Sequence, residues 1–119
     1  MKVTGYVVVT LKFRKEGRRW TAFCEELGTA TFGRSIHEAT KRIKEAVLFH
    51  LNTLEDVGER DRFFKENKIT FFPYKPKEGE IKICPSYDPK AFFQPYVHPL
   101  HKALTSLSIQ RFPLFLVNN

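Results

Sequence analysis

Gly33-Arg34-Ser35-Ile36-His37-Glu38-Ala39-Thr40-Lys41-Arg42-Ile43-Lys44-Glu45-Ala46-Val47 is the stretch on which the fold turns. Ser35 and Glu38 have capping-box spacing: the Ser35 hydroxyl accepts from the Glu38 amide, and the Glu38 carboxylate reaches back to the Ser35 amide. Behind the cap, Ile36, Ala39, Ile43, Ala46, Val47, His50, Leu51 and Leu54 recur at helical spacing, while Glu38, Lys41, Arg42, Lys44 and Glu45 fill the opposite side. Glu38 and Arg42 add a favourable acid-before-base pair four residues apart, and Gly58 supplies a stop. The pattern predicts an amphipathic helix over 36–56.

Upstream the period changes from 3.6 to 2. Val3, Val7, Val9, Leu11 and Phe13 share one side of a strand with Gly5, and Lys2, Thr4, Tyr6, Thr10 and Lys12 share the other. Gly17 in Arg14–Arg18 can supply the positive φ of a hairpin loop. Arg19–Cys24 then reads as an antiparallel second strand, Leu27-Gly28 as a turn and Thr29–Phe32 as a short third strand. Downstream, a short helix over 60–66 stops at Asn67. Ile69–Tyr74 and Ile81–Cys84 read as two more strands joined by the polar turn Lys75–Gly79. From Pro85 the prolines at 85, 89, 95 and 99 break up a Phe- and Tyr-rich stretch, which reads as irregular. Leu104–Val117 is apolar and carries no assignable period. The expected fold class is α+β: a small antiparallel sheet in β-β-β-α-β order, one long helix packed across it, and a Pro/Phe-rich extension. The organisation expected is a domain over 1–85, with 86–119 as its irregular or oligomer-contacting extension.

The chain has 119 residues, 42% hydrophobic and 28% charged, which suits one globular domain with a modest core. Its net charge of +7 is spread along the chain, +4 over residues 1–68 and +3 over 69–119. A dispersed excess suits solubility and weakly favours polyanion contact, although nucleic-acid binders usually concentrate it. Cys24 and Cys84 make neither a disulfide framework nor a zinc site. They read as reduced, buried thiols, with a single internal bridge as the alternative. No leader or membrane span is read from the sequence, so the expected location is the cytosol.

The joint between sheet and helix reads Trp20-Thr21-Ala22-Phe23-Cys24-Glu25-Glu26-Leu27-Gly28-Thr29-Ala30-Thr31-Phe32-Gly33-Arg34-Ser35-Ile36-His37-Glu38-Ala39, with Glu45-Ala46-Val47 further along the helix. This string resembles the HicB family of antitoxins, whose pattern is an aromatic and Cys-or-Pro strand end, an acid, Leu-Gly, then Gly-x-Ser/Thr-x-x-Glu-Ala and a later Glu-Ala-Ile/Val. The resemblance covers residues 1–54 and extends more loosely to about 99. It implies a partial RNase-H-like fold and an antitoxin that binds and blocks a small basic RNA-cleaving toxin. Many members add a C-terminal DNA-binding module. That module is a helix-turn-helix or ribbon-helix-helix that represses the family's own operon. Residues after 69 read as strand-like and Pro-rich with no pair of short helices around a turn, which argues against operator binding and leaves open a stand-alone HicB-like protein without a toxin.

Hydrolysis of the RNase-H type needs clustered carboxylates for two metal ions, one of them on the first strand. The strand over 3–13 contains no Asp or Glu, so no catalytic residue, metal site or cofactor is expected. His98 and His101 flank Pro99 and read as loop residues. Cys24 reads as packing rather than as a nucleophile. Arg14, Lys15, Arg18 and Arg19 with Trp20 form a basic hairpin that could meet phosphate and stack on a base of DNA or RNA. A solvated tip whose charges discourage strand pairing is the plainer reading. For a toxin partner the candidate contacts are Glu25, Glu26, Glu55, Asp56 and Asp61. Phe112, Leu114, Phe115 and Leu116 are candidates for a homodimer or higher oligomer contact. The leading expectation is a non-enzymatic antitoxin-like binding protein; the alternative is a nucleic-acid-binding or regulatory module that uses the basic hairpin.

Overall fold

The computed structural model describes residues 3–83 and 87–101. Its elements are β1 (Val3–Glu16), β2 (Arg19–Cys24), β3 (Thr29–Gly33), α1 (Ile36–Asp56), α2 (Arg60–Glu66), β4 (Phe71–Phe72), a 3-10 turn over Glu78–Glu80, and β5 (Ala91–His101). They form an α+β fold built on one antiparallel five-stranded sheet. The long central strand β1 pairs on one edge with β2 through Leu11–Glu16 and with β4 at Tyr6 and Val7. Its other edge pairs with β5 from Val3 to Arg14.

The alternation along β1 decides what each side of the sheet does. Val7, Val9, Leu11 and Phe13 are fully buried and meet Ala39, Ile43, Val47 and Leu51 of α1, with Ala22 and Cys24 of β2. Each of the Val, Leu, Ile and Phe side chains removed from water contributes roughly 1.5–3 kcal/mol. The α1 stripe is narrower than its sequence period implies, because Ile36 stays exposed at the N-terminus and His50 turns its Nδ1 to the Thr29 hydroxyl at 2.9 Å. Ser35 caps the helix, its Oγ accepting from the Glu38 amide at 3.0 Å. The return half of the box is displaced by one residue: the Glu38 carboxylate accepts from the Arg34 amide at 2.6 Å rather than from Ser35. That bond, ahead of the nearby cations, holds the Glu38 carboxyl below its usual pKa.

The motif string is the joint itself. Leu27 is buried, and Gly28 closes the turn with φ of +67°. Gly33 lets β3 meet the helix start: a Cβ there would lie 2.6 Å from the Ala39 nitrogen. Ala39 and Val47 are then fully buried.

The second half of the chain departs from expectation. The strand expected over Ile69–Tyr74 is only Phe71–Phe72, and no strand forms at 81–83. The Pro-rich stretch expected to be irregular contains β5, the long partner of β1. Two prolines fit because of where their nitrogens point. Thr10, which faces Pro95, directs its N–H and C=O to Glu26 and Glu25 on the opposite edge. The Thr10–Pro95 pair is therefore a non-hydrogen-bonded one, and the Pro95 nitrogen faces outward. Pro99, four residues on, repeats the arrangement. Proline belongs on such an edge.

Candidate functional site

The face of the sheet away from α1 carries the polar chemistry. Register places Tyr6, Val8, Thr10, Lys12, Arg14 and Glu16 of β1 there, beside Arg19, Thr21 and Phe23 of β2, Ala30 and Phe32 of β3, and Phe93, Pro95 and Val97 of β5. Its two halves differ.

In the half nearer Val8, a cleft of about 700 Å³ is lined by Val8, Glu25, Glu26, Asn67, Lys68, Thr70, Phe72, Gly79, Glu80 and Lys82. That volume lies within the usual range for small-molecule sites. Two of its acids are already engaged in the fold. Glu26 Oε1 accepts from the Thr10 amide at 2.7 Å and Oε2 from the Thr10 hydroxyl at 2.8 Å. The side chain thereby stands in for a neighbouring strand in the gap between β2 and β4. Glu80 accepts from the Lys77 amide and the Tyr74 hydroxyl, which hold its carboxyl below the usual range. Lys68 enters the cleft lining from a left-handed conformation, φ +56°, at the C-terminal end of α2. The Ile69 amide bonds back to the Phe64 carbonyl there, a helix ending that usually carries glycine.

In the half nearer the hairpin, a shallower groove of about 260 Å³ is lined by Lys12, Arg14, Glu16, Thr21, Ala22, Phe23 and Ala30. Lys12 Nζ and Arg14 Nη1 each lie 3.3 Å from Asp88 Oδ2. Arg14 also pairs with Glu16, which is the main reason its pKa is raised. Asp88 is held below the usual carboxyl range first by the Lys90 amide and then by the two cations, working against its partial desolvation. Arg19 stacks its guanidinium 4.7 Å from the Phe32 ring centre.

The basic hairpin is therefore divided. Arg14 and Arg19 lie on the open face, Lys15 and Trp20 on the helix side, and Arg18 in the turn. Trp20 packs edge-on against Phe92 and borders the core, so it belongs to the fold rather than to an exposed stacking platform. The acidic candidates are divided as well. Glu25 and Glu26 line the cleft, whereas Glu55 and Asp61 flank Arg60 at the corner between α1 and α2, with Asp56 exposed nearby. Phe112, Leu114, Phe115 and Leu116 lie outside the described residues, as do Cys84 and Pro85.

Residues 98–101, read as a loop, are the end of β5, where residues three apart point to opposite faces. His98 is buried on the helix side and hydrogen-bonded to the Tyr96 hydroxyl at 3.0 Å; burial and then the neighbouring His101 lower its pKa. Cys24 is a buried free thiol whose pKa is pushed up to about 12, chiefly by burial. Sequence reasoning missed Asp88, Lys68 and the role of Glu26. Asp88 and Lys68 carry no local pattern, and the Glu26–Thr10 pair depends on a gap between strands that spacing does not reveal.

Among the described residues there is no group of three or more His, Cys, Asp or Glu placed to hold a metal ion, and no helix long and apolar enough to cross a membrane. No family model, curated protein or solved structure matches the chain.

Proposed function

We propose that this protein is a non-catalytic binding protein of the antitoxin type, which captures a small basic RNA-cleaving toxin. The observation that carries the reading is the joint. In the HicB-like string Gly28 takes the positive φ of the turn, Gly33 gives β3 room against the helix start, Ser35 caps α1, and Leu27, Ala39 and Val47 are buried. The contact proposed for the toxin is the α1–α2 corner. Glu55 is half-buried there, Asp56 is exposed, and the Asp61 side chain is 95% exposed. At +7 overall the chain does not steer a basic partner from a distance, so this contact acts at short range. The test is co-expression with the product of any small basic reading frame beside the gene. Arrested growth relieved by this chain, and not by its Asp56→Lys/Asp61→Lys variant, is the expected result. Arrest that persists with the wild-type chain defeats the reading.

The same reading includes self-association as a two-fold dimer. The outer edge of β5 lacks donors at Pro95 and Pro99, which works against pairing through that edge. Leu48 and Phe49, exposed side by side on α1 with Phe49 at 75%, are the contact proposed among the described residues. Sedimentation of the wild type and of Phe49→Lys decides it; a wild type that runs as a monomer at micromolar concentration overturns it.

A second reading, a nucleic-acid-binding module, is favoured by one specific observation. Arg14 and Arg19 of the hairpin share the open face with Lys12 and three phenylalanines, Phe23, Phe32 and Phe93.

A further inference from the structure

We propose that Lys12 and Arg14 form a site for the phosphate backbone of a single-stranded nucleic acid, that Phe23 and Phe93 beside them stack on its bases, and that Asp88 is a built-in competitor for the site. The inference rests on the second reading above and gives it a location and a ligand class.

Three features of the open face converge on this ligand. The first is charge. Lys12 and Arg14 project from neighbouring same-face positions of β1, and one carboxylate oxygen, Asp88 Oδ2, lies 3.3 Å from both. Two cations that converge on one oxygen have already assembled the geometry a phosphate oxygen would use. The second is the aromatic flank. Lys12 sits opposite Phe23 on β2 and opposite Phe93 on β5, so an aromatic ring borders the cation on each neighbouring strand. Both rings are only half-buried. A backbone tracked by cations with bases stacked on flanking rings is how sequence-tolerant single-strand binding works. The third is shape. The groove along Lys12, Arg14, Thr21 and Phe23 is open and shallow, at about 260 Å³, and suits a chain laid across the sheet better than an enclosed small molecule.

Asp88 sets the strength of the site. It stands on a turn just before β5, its side chain 12% exposed, and is fixed from behind by the Lys90 amide. A phosphate entering the groove must displace this carboxylate from Lys12 and Arg14. Neutralising Asp88 frees Lys12 and the Arg14 Nη1 and leaves both cations in place, while Glu16, which lines the same groove, still accepts from the Nε and Nη2 of Arg14. A change that only damages folding weakens binding, so a gain in affinity from Asp88→Asn is a result that instability cannot imitate.

The experiment is fluorescence anisotropy of a labelled oligouridylate about 12 nucleotides long, with the matching oligothymidylate and a duplex as comparison probes, across a salt series. The full chain and four variants are used, each checked for native circular dichroism. Expected are single-strand binding that weakens with salt and, for Lys12→Gln/Arg14→Gln, an affinity lower by roughly ten-fold with a log–log salt slope shallower by about 1.4. Phe23→Leu is expected to lose roughly ten-fold. Asp88→Asn is expected to gain about five-fold, the upper end of what a single surface ion pair is worth, because the carboxylate holds two cations and is mostly covered. If the wild type binds but Lys12→Gln/Arg14→Gln and Asp88→Asn leave affinity unchanged while Arg18→Gln/Arg19→Gln abolishes it, this inference fails and the hairpin reading survives. If neither the wild type nor Asp88→Asn binds any probe, both fail. Preference for the duplex overturns the single-strand assignment.

Discussion

Replacing Glu26 by Ala separates an acid used by the fold from an acid kept for a partner. Thr10 is fully buried in the middle of β1 and directs both its amide and its hydroxyl to Glu26, at 2.7 and 2.8 Å. No strand occupies that position, because β2 ends at Cys24, opposite Leu11, and β4 reaches only Tyr6 and Val7. Glu26→Ala therefore strands two donors. Each buried unsatisfied donor costs about 1–3 kcal/mol. The adjoining cleft lets water reach the vacated side, which puts the expected loss near the lower end for each donor, about 2–4 kcal/mol together. That is a large share of the roughly 5–15 kcal/mol that holds a domain of this size. The assay is urea unfolding followed by circular dichroism, with Thr10→Val and the double variant completing a cycle. The double variant should cost less than the sum of the singles, because Thr10→Val has already removed one of the stranded donors. Asp56→Ala, exposed at the end of α1, serves as the control and should stay within about 0.5 kcal/mol. A Glu26→Ala midpoint equal to wild type with an unchanged slope would refute the structural role and return Glu26 to the list of partner contacts.

Three further outcomes are expected. Lys68→Gly should stabilise the protein by about 1 kcal/mol in urea unfolding: the left-handed φ of +56° costs a lysine about 1–2 kcal/mol, and the looser unfolded chain of glycine returns part of that; an unchanged or lower midpoint would contradict it. Gly33→Ala should destabilise by about 1–3 kcal/mol, since its Cβ would press on main-chain atoms of Ala39 and Glu38 that cannot swing aside; a wild-type melting temperature would show that β3 and α1 are not in close contact. His98 gives the pH dependence. Its folded pKa lies below the ordinary value, so the unfolded chain binds a proton that the folded one refuses. Stability should therefore be present in full above about pH 6.5 and decline as the pH falls from there towards the folded pKa. His98→Asn should flatten that part of the profile, and an unaltered slope would refute the assignment.

The parts legible in the sequence are those set by short-range physics. The capping serine, the 3.6 period of 36–56 and the alternation of 3–13 each have a local cause, and the structure places α1, β1, β2 and β3 accordingly. The illegible parts depend on which edge a strand occupies. Pro95 and Pro99 read as breakers because a central strand could not hold them, whereas an edge strand with both nitrogens outward can. The basic hairpin shows the same limit from the functional side. Five neighbouring residues looked like one patch, but alternation sends Arg14 and Arg19 to one face and Lys15 and Trp20 to the other. Lys12 and Asp88, distant in sequence, are paired in space on the open face, which no local pattern reveals.

Capture of a toxin, the function proposed for this protein, is measured by a titration. Purified chain is added stepwise to the purified product of any small basic reading frame found beside its gene, while cleavage of a labelled RNA is followed. Cleavage should fall to background at about one chain per toxin, the two co-eluting thereafter, as tight stoichiometric capture requires. RNA cleavage that continues at full rate in excess of this chain would contradict it.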